Sequence, residues 1–182
     1  IATLACRARE AGGRVTIISS DKDLMQLVGD GVEMFDAMKN RRINRDAVIE
    51  KFGVNPELVV DVQALAGDSV DNVPGAPGIG VKTAAELITV YGSLENLLDK
   101  AHEIKQPKRR ETLINFEEQI RVSKQLVELD CSMELDFSID ELVVSPPQMD
   151  ELVGFLQKME FRTILKRVSE QFDVELAKLL PH

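Results

Sequence analysis

The chain has 182 residues, 44% hydrophobic and 29% charged, with a formal net charge of −9, which fits one globular domain, or one and a half, able to bury a core. It contains no run of about 18 apolar residues and no basic-then-apolar leader, so neither a membrane span nor a secretory signal is expected, and a cytoplasmic protein is. Cys6 and Cys131 stand far apart in no C-x-x-C spacing and are expected as buried thiols of a reducing compartment, not as a staple or a zinc site.

The opening stretch IATLACRAREAGG has apolar or small residues at Ile1, Leu4, Ala5 and Ala8 and ends on Gly12 and Gly13, the pattern of a helix. Because the chain starts without Met inside that helix, its beginning is expected to be cut off. Val15 to Ser19 is a β-branched run suited to a buried parallel strand, followed by Asp21-Lys22-Asp23 and an apolar, helix-like LMQLV. Gly31 to Met38 is a second strand candidate, with RRIN as a short return. This β-α-β rhythm puts acids at the carboxyl end of a strand, where open α/β sheets place their sites. From Asn44 the pattern is helical: Arg45 to Phe52, Pro56 to Ala66, Val81 to Tyr91 and Ser93 to Ala101, punctuated by Gly53, Gly67 and Gly92, with Ser93 as an N-cap. One longer helix is expected from Lys108 to Leu129. An acidic extended segment then reaches Ser145-Pro146-Pro147. A final helical pair follows, Met149 to Met159 and Phe161 to Ser169, the second fraying through Gln171 to Leu180. The expected organisation is an α/β remainder over residues 1–52 and a mainly helical subdomain over residues 53–182.

The negative charge is unevenly spread. Between Leu126 and Glu160 nine acids face one base, Lys158, so the rest of the chain is close to neutral. That remainder holds a basic run of Lys105, Lys108, Arg109 and Arg110, then Arg121 and Lys124. A polyanionic partner is therefore compatible with the overall charge, although such a run also suits a solvated loop.

The stretch GDSVDNVPGAPGIGVKTA, Gly67 to Ala84, joins two closely spaced carboxylates to a Gly/Pro-rich turn opening into a helix. Carboxylates hold hard cations, and free N–H groups at a helix start hold phosphate. Asp21 and Asp23, two apart after a strand, leave an extended backbone on one face and have a spacing able to share a metal. The same pair equally suits a helix cap and a first-turn acid. Asp68 and Asp71 share a face if Gly67 opens a helical turn. Four such carboxylates brought together would repel unless cations lay between them, and Mg²⁺ or Mn²⁺ would resolve that conflict. His102 and His182 lie outside these motifs, and no nucleophile elbow or Cys–His arrangement occurs, which disfavours acyl chemistry. In Pro74-Gly75-Ala76-Pro77-Gly78-Ile79-Gly80 the glycines admit a close backbone approach by phosphate, with Lys82 and Thr83 adding a charge and a hydroxyl. No strand precedes Gly78-Ile79-Gly80, and Val81 separates Gly80 from Lys82, so neither a dinucleotide fingerprint nor a P-loop is present.

TIISSDKDLMQLV, LAGDSVDNVPGAPGIGVKTAAELI with YGSLENLL following, and the closing FLQKMEFRTIL, in that order, resemble the 5′ nuclease superfamily, specifically the 5′-to-3′ exonuclease domain of bacterial DNA polymerase I. The resemblance implies a partial PIN-like, Rossmann-like parallel sheet followed by a helical subdomain with a helix-three-turn-helix at residues 67–91. It further implies a structure-specific nuclease that removes 5′ nucleotides or flaps from duplex DNA in primer removal and repair. Its site would use two divalent ions at Asp21, Asp23, Asp68 and Asp71. Gly75, Gly78, Ile79, Gly80, Lys82 and Thr83 would contact DNA around a K⁺ ion, with polymerase domains on the same polypeptide and a nucleoid-associated location. The family's remaining carboxylates and its basic arch would lie upstream of Ile1, so this chain alone is expected to bind metal weakly and not to cleave. The alternative is a non-catalytic duplex-DNA-binding module whose carboxylates act as caps.

Overall fold

The computed structural model describes residues 1–173, which fall in two compact units, Ile1–Ile139 and a second that begins at Asp140. In the first unit, helix α1 (Ala2–Glu10) leads into strand β1 (Val15–Ile18), a 3-10 helix (Lys22–Leu27), strand β2 (Val32–Asp36) and strand β3 (Arg41–Ile43). β1 runs parallel to β2 with Val15 opposite Val32, while β3 returns antiparallel with Ile43 opposite Met34. The expected parallel pair and short return are both present. β1 is less buried than its composition suggests, because it lies at one side of the three-strand order, with Ile17 its one buried side chain and Val15 only partly buried against the core. β2, in the middle, alternates buried and half-buried side chains.

Helix α2 (Arg45–Phe52) starts where the Asn44 side chain accepts the Ala47 N–H at 3.1 Å, and it stops at Gly53 with φ 75°. The single helix expected from Pro56 to Ala66 is two pieces, a 3-10 turn (Pro56–Leu58) and helix α3 (Val59–Ala66). Helix α4 (Val81–Tyr91) ends at Gly92, and Ser93 caps helix α5 (Leu94–Asp99) by accepting the Asn96 N–H. The long helix expected from Lys108 to Leu129 is broken into α6 (Pro107–Asn115) and α7 (Glu117–Val127). The break falls at Phe116, whose φ of −114° leaves the helical range without a glycine or proline to announce it.

α3 is the hub of this unit. It packs on both α4 and α7, and Val59, Val62, Ala64 and Leu65 are fully buried. The sequence LVVDVQALA is apolar nearly all round, as a helix enclosed by neighbours must be. Its one acid, Asp61, is buried but paired: the Leu94 N–H donates to it at 2.9 Å and Lys124 Nζ lies at 3.3 Å. One hydrophobic cluster runs from Ala2 on α1 to Ile120 on α7, so packing continues uninterrupted across residue 52.

The two cysteines depart from expectation. Cys6 and Cys131 form a disulfide, with Cα atoms 5.9 Å apart, inside the range such a bond requires. Cys131 is also exposed. Their separation of 125 residues hid that the chain leaving α7 returns along α1. There, Thr3 Oγ1 donates to the Asp130 carbonyl at 2.8 Å and Arg7 to the Met133 carbonyl at 2.8 Å. In the second unit, helices α8 (Met149–Lys158) and α9 (Arg162–Phe172) realise the expected final pair, with Phe155 and Phe161 edge to face at 6.3 Å. The fraying expected as far as Leu180 lies largely outside the described residues. No helix among the described residues is long and apolar enough to cross a membrane.

Between α3 and α4 the backbone crosses itself. Asp68 and Val73 exchange both backbone hydrogen bonds at 2.8 Å, and the Ala76 N–H returns to the Leu65 carbonyl at 2.7 Å. The Asp68–Asp71 segment is thus a bridged loop and not the helical turn expected. Gly75, at φ 60°, sits so close to Gly67 that a Cβ there would fall 2.6 Å from the Gly67 Cα. Gly75→Ala combines left-handed strain with a backbone clash and is expected to cost about 2–4 kcal/mol. Urea unfolding checks this, and a variant as stable as the parent chain would contradict the crossing.

Candidate metal centre

Asp23, Asp68 and Asp71 converge so that one carboxylate oxygen from each lies within 4.8 Å of the others. Two separate segments build the group. Asp23 sits in the first turn of the 3-10 helix that follows β1, while Asp68 and Asp71 sit on the bridged loop after α3. Asp23 is half-buried, Asp68 buried and Asp71 exposed, so the group is closed at the protein side and open at the other.

Each carboxylate is held differently. Gln63, reaching from α3, donates its side-chain N–H to Asp23 Oδ1 at 2.6 Å. The Val70 N–H donates to Asp68 Oδ1 at 3.0 Å. Lys22 spans the other two, ion-paired with Asp68 and with its Nζ 3.3 Å from Asp71 Oδ2. The Lys22 hydrogen bond holds the Asp68 carboxyl below the usual carboxylate range, and Asp68 in turn raises the Lys22 ammonium above its ordinary value.

Asp21 does not join this group. Its side chain accepts the Asp23 N–H at 3.0 Å through one oxygen and caps the 3-10 helix, and Asp23 is the member of the pair that lies within 4.8 Å of the other acids. Lys22 and Gln63 are contributors that motif reading passed over. Lys22 lies in plain view between the two aspartates, but its pairing with Asp71 spans 49 residues. Gln63 reads as one more residue of a buried helix.

The donor set suits a hard cation. Three carboxylates outweigh the one ammonium beside them, and every ligand is oxygen, as Mg²⁺ or Mn²⁺ requires. The Gln63 Oε1 atom, buried and without a hydrogen-bond partner among the described residues, adds a further uncommitted oxygen on the side chain that holds Asp23.

The Gly/Pro turn divides into a structural half and an open half. The Gly75 N–H is taken by Ser123 Oγ at 3.0 Å and its carbonyl by Gln119 at 2.7 Å, while the buried Ile79 gives its N–H to the Ala76 carbonyl at 3.0 Å. Both were expected as phosphate contacts, but their amides are committed inside the fold. Gly78 and Gly80 have open space where a Cβ would stand. Beyond them, the first-turn N–H groups of α4, at Val81, Lys82 and Thr83, have no capping side chain and lack intrahelical acceptors. Lys82 lines a groove of about 710 Å³ together with Lys51 of α2. Burial, helped by Lys22 and Lys39, pushes the Lys51 ammonium below its ordinary value.

Comparison with known proteins agrees with this geometry. Residues 1–53 match the family described as 5′-3′ exonuclease, N-terminal resolvase-like domain, and residues 54–150 match 5′-3′ exonuclease, C-terminal SAM fold. DNA polymerase I of Rhizobium leguminosarum is 51% identical over 100% of this chain and 18% of its own length. A 5′-3′ exonuclease of Aquifex aeolicus is 37% identical over 94% of this chain and 58% of its own length. The chain thus spans only part of these relatives. Among solved structures, T5 5′-exonuclease with bound zinc ions superposes with a TM-score of 0.62 and 26% identity, over 69% of this chain and 48% of that one. Bacteriophage T5 flap endonuclease in complex with DNA and metal ions gives 0.64 and 25%, over 69% and 47%. With a three-stranded mixed sheet, a helical remainder and these matches across most of its length, the chain belongs to the 5′-3′ exonuclease family.

Proposed function

We propose that this chain is the metal-binding and duplex-gripping part of a 5′-to-3′ deoxyribonuclease that hydrolyses phosphodiesters at 5′ ends or flaps of DNA, using Mg²⁺ or Mn²⁺ held by Asp23, Asp68 and Asp71. The observation that carries this reading is the convergence of three carboxylates from two segments, every donor an oxygen. Divalent ions at such a site supply an activated water and charge stabilisation for the leaving oxygen.

The protein's own part is to fix the ligands and seat the substrate. Gln63 fixes Asp23, and the bridged loop fixes Asp68; oxygens held before substrate arrives need no reordering when it does. Asp21, among the expected metal ligands, acts in this reading by capping the helix that presents Asp23. The open half of the turn, Gly78, Gly80, Lys82 and Thr83, would take a backbone phosphate at the start of α4, with Lys51 across the groove as a second positive charge. Such contacts grip a duplex without reading its sequence. K⁺ at the turn and polymerase domains on the same polypeptide belong to this proposal, the latter supported by the Rhizobium DNA polymerase I relative.

The test is Mg²⁺-dependent cleavage of a 5′-labelled flap duplex by the full-length protein. Asp71→Asn is expected to lower cleavage by about 100-fold or more, beyond the loss typical of a ligand's outer-shell partner, while duplex binding stays within about twofold. Undiminished cleavage would contradict the site and favour the non-catalytic module. Gly80, at φ −93° with open space around it, tolerates a methyl group, so Gly80→Ala is expected to keep the parent melting temperature and still weaken duplex binding. In the parent, log affinity should fall with log salt at a slope of about −2 to −4, the mark of a few phosphate contacts. A slope near zero, or a Gly80→Ala variant that binds normally, would remove the turn from the interface.

A further inference from the structure

We infer that Lys22 is a built-in competitor for the divalent cation, an ammonium that must leave the Asp68 and Asp71 oxygens before an ion can be ligated there and that therefore sets the metal affinity of the site. The inference rests on the reading of Asp23, Asp68 and Asp71 as a cation site and adds a control element to it.

The geometry leaves little alternative to exchange. Lys22 Nζ is ion-paired with Asp68 Oδ2 and 3.3 Å from Asp71 Oδ2, and these are two of the three carboxylates that converge. A divalent ion binds carboxylate oxygen at about 2.1 Å, so ion and ammonium held by the same oxygens would stand about 4 Å apart, where like charges repel strongly in a partly desolvated site. One must go. The Lys22 backbone cannot withdraw, since the cap bond from the Asp23 N–H to Asp21 pins the turn on both sides of it. Its side chain can, because it is 28% exposed and carries the charge on a flexible four-carbon stem. Asp23 is excluded from the exchange, being held by the neutral Gln63 amide. Competition thus falls on Asp68 and Asp71, and Asp23 stands outside it.

The experiment is calorimetric titration of Mn²⁺ into this chain and its Lys22→Gln, Lys22→Arg and Asp68→Asn variants at fixed pH and salt. Lys22→Gln is expected to bind about tenfold more tightly than the parent, equivalent to about 1.4 kcal/mol, while Lys22→Arg, which keeps the charge, stays close to the parent. Equal or weaker binding by Lys22→Gln would overturn the inference. Asp68→Asn separates this from the underlying reading: loss of Mn²⁺ binding supports the cation site, and parent-like binding would overturn that reading and the competition with it. Melting temperatures give a second readout. Lys22→Gln should melt lower than the parent in chelator and gain more on adding Mn²⁺; an equal gain would count against competition.

Discussion

The contact on which the rest depends is backbone on backbone, Gly67 against Gly75. At that crossing the chain leaves α3, makes the bridged loop that carries Asp68 and Asp71, and returns to begin α4. A side chain on either glycine would collide with main-chain atoms of the opposite strand of the loop, so the crossing exists only because neither residue has one. Ser123 and Gln119 of α7 then clamp Gly75 from outside. One close approach therefore sets three things together: where the two loop carboxylates stand, which helix backs them, and where the uncapped start of α4 points. The remainder of the first unit, with α3 buried between α4 and α7, encloses that crossing in apolar contact.

Around this frame the electrostatics are balanced by design of position. Three carboxylates within 4.8 Å repel one another, and the fold offsets that cost locally with the Lys22 ammonium, the Gln63 amide and the Val70 N–H. Gln63 and Val70 satisfy oxygens on the protein side, and Lys22 alone reaches the open side where Asp71 is exposed. In the proposed reading a cation arriving at the group would meet preset oxygens and a mobile charge to displace. The acidic residues beyond α7 supply much of the chain's negative charge. They make the net charge of the whole chain a poor guide to a site whose neighbours include Lys22, Lys51 and Lys82.

Much of this was legible because it is written in local chemistry. Asn44 and Ser93 are caps, Gly53, Gly67 and Gly92 end helices, and the β-branched VTII pairs with the alternating VEMFD. The carboxylates and the open glycines Gly78 and Gly80 were legible for the same reason, through residue types whose chemistry is narrow. What could not be read is what depends on distant partners. The break at Phe116 carries no glycine or proline, the role of Gly75 is fixed by Gly67 and α7, and the Cys6–Cys131 bond joins residues 125 apart. Asp21 illustrates the remaining ambiguity: D-x-D fits a metal pair and a capped turn equally, and in this fold one Asp21 oxygen caps the 3-10 helix while Asp23 reaches the other acids.

The central claim, that a divalent ion is held by Asp23, Asp68 and Asp71, is tested most directly by adding substoichiometric Mn²⁺ to isotope-labelled chain and following paramagnetic broadening of backbone amide signals. The account predicts that residues 22–23 and 68–73 lose intensity first and together, since both segments would lie beside one ion. Broadening centred instead on the acidic stretch of residues 128–141, with the two loops unaffected, would contradict it.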